Sequence, residues 1–165
     1  MRTHRGLVSP DEFLSLVSGE MQTRRTLVEA PGVRVTLHRN GPGHYEVQGL
    51  AAHGVAVQFS KRNHHTARLD GRGFRGEAGA GMSWLKPAGT AIDWRWRDPA
   101  EVVNVWIAPD AWSDAVEAAT GRDGRGCEFH GRFIADDPLV AQIASALSPR
   151  PSGPARTGAV PMGAC

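Results

Sequence analysis

The sequence predicts a mainly β domain, an antiparallel sandwich or barrel, with a short helix before it and helices after it. Three observations carry this. Runs of alternating polar and apolar residues fill the middle of the chain, the glycine-rich stretches NGPGH, LDGRGFRG and GEAGAG separate them as turns, and helical periodicity returns only beyond Pro109.

The first helix is read from SPDEFLSLVSGEM. Ser9 can cap it, Pro10 suits its first turn, and Glu12 stands three residues after Ser9, as a capping box requires. Phe13, Leu16 and Val17 then share a face, and Gly19 ends the element. In VRVTLHR, Val33, Val35 and Leu37 alternate with Arg34, Thr36 and His38, the period of a half-buried strand. HGVAVQFS repeats it with Val55, Val57 and Phe59. GMSWLKPAGT gives a short strand closed by a Pro-Ala-Gly turn. AIDWRWRD sets Trp94 and Trp96 on one face, and the nearly all-apolar EVVNVWIAP reads as a strand buried on both faces. SKRNHHTARLDG reads as a loop before a turn. In PDAWSDAVEAATG, Asp110 is the expected cap and Gly121 the stop, with Trp112 in the core beside Trp106. In DDPLVAQIASAL, Asp137 caps, Pro138 opens the helix, and Leu139, Ile143 and Leu147 fall at four-residue spacing.

The totals exclude several function classes. The 165 residues suffice for one domain with a real core. A net charge of +2 is too small to argue for nucleic-acid binding. Of the 19 basic residues only Lys61 and Lys86 are lysines, a compositional bias that carries no function. Two cysteines, Cys127 and Cys165, build neither a disulfide framework nor a multi-cysteine zinc site. No apolar run is long enough for a membrane span or a signal peptide, so a cytoplasmic setting is the expectation.

No catalytic constellation emerges. Ser83 lacks a Gly-x-Ser-x-Gly setting, Cys127 reads as a small loop or strand residue, and the glycines lack the lysine and context of a phosphate loop. His64 and His65 are adjacent, so on a strand they would face opposite ways. No His-x-His pair occurs; His38, His44 and His53 could meet in space around a metal in a stand-alone enzyme, though their spacing does not show it, and hydrogen-bonded or solvated histidines are the simpler expectation. The tryptophans either fill a barrel or line a ligand cavity. Trp94 and Trp96, facing one side together, are the candidates for a cavity.

Taken in order, LHRNGPGHYEVQGLAAHGVAVQFS, ARLDGRGFRGEAGAGMSWLKPAGTAIDWRWRDPAEVVNVWIAPD and DDPLVAQIASAL resemble the N-terminal effector-binding domain of AraC-family transcriptional regulators, from about Val33 to Leu147. The resemblance implies a cupin-like antiparallel β-barrel (a double-stranded β-helix or jelly roll) with C-terminal helices, without cofactor or metal, that binds a small-molecule effector or dimerises and is not an enzyme. Trp94, Trp96 and His38 are the expected effector-binding residues. Leu139, Ile143 and Leu147 are the expected homodimer contact. Such regulators continue into a DNA-reading domain with two helix-turn-helix motifs. Here the continuation is SPRPSGPARTGAVPMGAC, dominated by helix breakers, which reads as a disordered tail and a chain truncated by a frameshift or early stop, or as a natural single domain with a flexible end. No direct DNA binding and no membrane contact are expected. The expected organisation is an N-terminal arm over 1–24, a barrel over 25–109, a helical segment over 110–148 and a tail over 149–165.

Overall fold

Ser9 starts the first helix, α1 (Pro10–Leu16), through the capping box its spacing predicts: the Glu12 amide donates to Ser9 Oγ at 3.2 Å, and the Ser9 amide donates to Glu12 Oε2 at 2.9 Å. The computed structural model describes residues 6–148. The expected tail lies outside them. After α1 come nine strands, β1 (Met21–Ala30), β2 (Val33–Asn40), β3 (Gly43–Val47), β4 (His53–Gln58), β5 (Asn63–Leu69), β6 (Arg72–Ala78), β7 (Met82–Lys86), β8 (Ile92–Trp96) and β9 (Ala100–Ile107). Helix α2 (Pro109–Thr120), strand β10 (Arg132–Asp136) and helix α3 (Pro138–Leu147) complete the order.

The strands form two antiparallel sheets, one in the order β1-β2-β9-β4-β7-β10 and one in the order β3-β8-β5-β6. From β2 to β5 and again from β6 to β9 the chain changes sheet at every connection. This is the cupin-like jelly roll, with a core enclosed between the sheets. α1 seals that core at one side: Phe13 is buried, with its ring edge-on to Tyr45 at 4.6 Å and tilted against Trp106 at 5.2 Å.

A second core lies on the outer face of the six-stranded sheet, where Val35, Leu37, Val57 and Val103 are buried with Ala144 of α3. This corrects the half-buried reading of β2. Its Val35 and Leu37 point outward beneath the helix, and Thr36 and His38 are the residues buried inside the barrel. A strand in the middle of a sheet covered on both sides has no solvent face, so polar side chains enter the interior where partners await them.

Other expectations change with the neighbours each segment finds. HHTARL is strand β5, not a loop, and a two-residue Asp70–Gly71 turn joins it to β6. Both turn residues have positive φ, 48° and 76°, the twist that matches a tight hairpin. Gly73 and Gly76, read as turn glycines, lie within β6. β1 and β10 carry no clean alternation and were not expected. α1 ends at Leu16 with Val17 as its cap; it buries Leu14 and leaves Leu16 exposed. In α2 the cap position falls on Ala108, not Asp110, because Pro109 already occupies the first helical position. Gly121 does end that helix, in the left-handed conformation. Trp112 is half-buried rather than core: its indole N–H donates to the Cys127 carbonyl at 3.2 Å and its ring meets His53 and Phe129.

Candidate functional site: a cationic aromatic chamber

Between the sheets lies a cavity of about 60 Å³. Residues from seven strands and one helix build its wall, with Ala56 from β4 and His65 from β5 among them. His38 and Asn40 come from β2, Tyr45 from β3, Trp84 and Lys86 from β7, Trp94 and Trp96 from β8, Val102 and Asn104 from β9, and Phe13 from α1. The expected effector-binding residues His38, Trp94 and Trp96 therefore line one chamber.

Its centre of chemistry is a residue the sequence reading passed over. Lys86 is 3% exposed, and its ammonium lies 5.3, 5.5 and 5.9 Å from the ring centres of Trp106, Phe13 and Tyr45. Ring faces attract the cation but do not neutralise it. Among the described residues it donates one hydrogen bond, at 3.4 Å, to Asn104 Oδ1. No Asp or Glu among the described residues lines the chamber. Burial pulls the lysine down to about 8, which still leaves it mostly charged at neutral pH.

The lysine fixes the state of His38. Because Asn104 Oδ1 accepts from Lys86, the Asn104 amide NH₂ faces His38 Nδ1, at 3.3 Å. Nδ1 is then an acceptor, and the proton of the neutral ring sits on Nε2. Burial first, and then the charges of Lys86 and Arg24, lower this histidine to about 4, so it is neutral at pH 7. His38 Nε2 is buried without a partner among the described residues, as are Trp84 Nε1 and Asn40 Oδ1, all three from residues of the chamber wall.

The other wall is satisfied. Trp94 Nε1 donates to His65 Nδ1 at 3.1 Å, so His65 carries its proton on Nε2 and donates to Gln58 Oε1 at 3.0 Å. Gln58 Nε2 in turn donates to the Ala78 and Lys61 carbonyls. Burial lowers His65 to about 4, with the neighbouring His64 adding to the shift and Asp98 opposing it. Trp96 donates to the Gly41 carbonyl at 2.7 Å.

A barrel of this class raises the question of a metal, and the chamber's donors do not fit one. Both nitrogens of His65 are engaged, one nitrogen of His38 is engaged, and the nearest charge is an ammonium. Among the described residues no three His, Cys, Asp or Glu side chains gather as a metal set. His44 and His53 lie in separate surroundings: His44 pairs with Ser18, while His53 Nδ1 accepts from the Ala88 amide and its ring stacks on Phe129 at 4.6 Å.

The expected dimer stripe divides in two. Asp137 Oδ1 caps α3 by accepting from the Leu139 and Val140 amides at 3.0 and 3.2 Å. Leu147 turns with Val140 and Ala144 into the outer core, while Leu139 and Ile143 are 64% and 51% exposed. No helix among the described residues is long and apolar enough to cross a membrane.

Lys86, Asn104, Trp84, Tyr45 and Phe13 were missed as site residues. Parity could have found two of them. Lys86 stands two residues after Trp84, and Asn104 two before Trp106, each on the same strand face as an interior tryptophan.

No family model and no curated protein matches the chain. Among solved structures it is similar to a putative ethanolamine utilization protein Q from Salmonella typhimurium LT2, with 14% identity over 51% of this chain and 67% of that one and a TM-score of 0.41. It is similar to the AraC-like transcriptional activator CuxR, with 16% identity over 52% of this chain and a TM-score of 0.42; the match spans only 32% of CuxR. A third is a putative mannose-6-phosphate isomerase from Ralstonia eutropha JMP134, with 13% identity over 52% and 83% of the two chains and a TM-score of 0.45.

Proposed function

We propose that this chain is a small-molecule-sensing and dimerisation domain of AraC type, which binds its effector inside the barrel and catalyses no reaction. The observation that carries the binding half of this reading is the chamber, where polar atoms of His38, Trp84 and Asn40 are buried with no partner among the described residues. Buried polar atoms without partners are rare in folded proteins, and their concentration around one cavity marks a place for a guest. The regulatory half rests on the resemblance of the sequence over Val33–Leu147, and the chain is proposed to pair without contacting DNA itself.

The sheet offers a route between the two activities. His38, Ala56 and Asn104 line the chamber, while their neighbours Leu37, Val57 and Val103 support α3 from the opposite face of the same strands. A guest that shifts these strands would tilt the helix bearing Leu139 and Ile143. Only a difference in affinity between two arrangements can transmit such a signal.

The binding half is tested by tryptophan emission, since Trp84, Trp94 and Trp96 border the cavity. Titration with a panel of metabolites of up to six non-hydrogen atoms should give a saturable change for at least one. A panel without any saturable response overturns the reading. The pairing half is tested by light scattering. The native chain should run as a dimer, and Ile143→Asp as a monomer with unchanged circular dichroism; a native monomer, or an unfolded variant, overturns the contact.

A further inference from the structure

We infer that the chamber is a receptor for a short-chain monocarboxylate, whose carboxylate sits on the Lys86 ammonium and whose alkyl end lies against the aromatic wall. This rests on the reading of the barrel as a ligand-binding domain and names its ligand class.

Three observations lead there. First, the charge is one-sided: among the described residues the wall holds a buried ammonium, 3% exposed, and no Asp or Glu. A cation taken out of water calls for an anion, and three ring faces with a single amide oxygen do not supply one. Second, the unmet hydrogen-bonding capacity is donor-rich. Among the described residues of the chamber wall, the His38 Nε2–H and Trp84 Nε1–H donors are buried without partners and the ammonium has spare protons, against one unmet acceptor, Asn40 Oδ1. A carboxylate is acceptor-only, with two oxygens able to take several donors. A neutral polyol would meet the donors and leave the charge uncompensated. Third, the volume of about 60 Å³ is room for a guest of about four to six non-hydrogen atoms, at ~10–15 Å³ for each water-sized position. Of the rest of the wall, Phe13, Val17, Ala56, Ala100 and Val102 carry no polar side-chain atom and Tyr45 carries only a neutral phenol, so none of them offers a second ionic group. That favours a carboxylate with a short apolar tail over a compact inorganic anion.

Sodium propionate is the probe. Titrated into the native chain at constant ionic strength, it should change tryptophan emission saturably and bind at least tenfold more tightly than propionamide, its neutral counterpart, or sodium nitrate, an anion without an alkyl tail. Asn104→Asp places an internal carboxylate where the amide oxygen now meets Lys86 and should weaken propionate at least tenfold with the fold intact. Lys86→Met, which removes the charge, should do the same. Propionamide or nitrate binding as tightly as propionate overturns the monocarboxylate class and leaves a small-molecule chamber standing. So does unchanged propionate affinity in both folded variants. If neither propionate nor the wider metabolite panel binds, the ligand-binding reading falls with it.

Discussion

Replacing Lys86 by Met is expected to make the ligand-free protein more stable by about 2 kcal/mol at pH 7, a gain of roughly 4–8 °C in melting temperature. Burial lowers this lysine to about 8, so holding its charge in the chamber costs the fold on the order of 3 kcal/mol. Met keeps the length of the side chain and gives Phe13, Tyr45 and Trp106 a polarizable sulfur in place of the cation. Against this, Asn104 Oδ1 loses its donor, which returns about 1 kcal/mol of the gain. The sign with pH follows from the lowered value. Between pH 8 and the ordinary lysine range the folded state holds fewer protons than the unfolded chain, so the native protein gains stability as pH rises through that window. The advantage of the variant should therefore shrink when the melts are repeated near pH 10. A variant less stable than the native chain at pH 7 would mean that the aromatic rings more than compensate the buried charge.

Acid should destabilise the domain progressively from about pH 6.5 downward. His38 and His65 are both buried neutral, each lowered to about 4. As pH falls from about 6.5 toward 4, the unfolded chain takes up protons that the folded barrel refuses, so stability drops throughout that window. Each ring accounts for about 2.5 kcal/mol by pH 4.5, and the pair for about 5 kcal/mol, a large share of what a domain of this size possesses. Denaturant midpoints measured at pH 7 and pH 4.5 should differ accordingly, with full stability above pH 7. Midpoints that do not move would contradict two neutral imidazoles in the interior. Part of the lowering of His38 comes from Lys86, so the acid sensitivity should be milder in Lys86→Met.

The elements legible in the sequence were those whose signal is local. The Ser9–Glu12 capping box, the Asp137–Pro138 helix start and the paired faces of β8 each depend on residues a few positions apart, and each stands in the structure as expected. β1 and β10 depend on partners found across the sheet, Val33–Asn40 for one and Met82–Leu85 for the other, and no periodicity within them announces it. The site divides the same way. Trp94 and Trp96 declared themselves by alternation. Lys86 did not, because a lysine ending a strand before Pro-Ala-Gly looks solvated until Phe13, 73 sequence positions away (86 − 13), closes over it. His38 was found, but for its residue type; that its strand turns polar side chains inward could not be read without α3 covering the opposite face.

The two-sided burial of the central strands also makes their pairing self-checking. β9 lies between β2 and β4, with Asn104 opposite Thr36 and Ala56, and Val103 opposite Leu37 and Val57. A slip of β9 by a single residue would flip every side chain. Asn104 and Trp106 would be thrust beneath α3, and Val103 and Val105 would enter the chamber beside Lys86. In a sheet with one wet face such a slip strands one set of apolar groups in water. Here it would also strip the ammonium of its amide oxygen and bury an indole N–H and an amide in the greasy seat of a helix. The mispaired states are thus raised on both faces together, and the chamber's polar groups act as a lock on strand alignment even when it holds no guest.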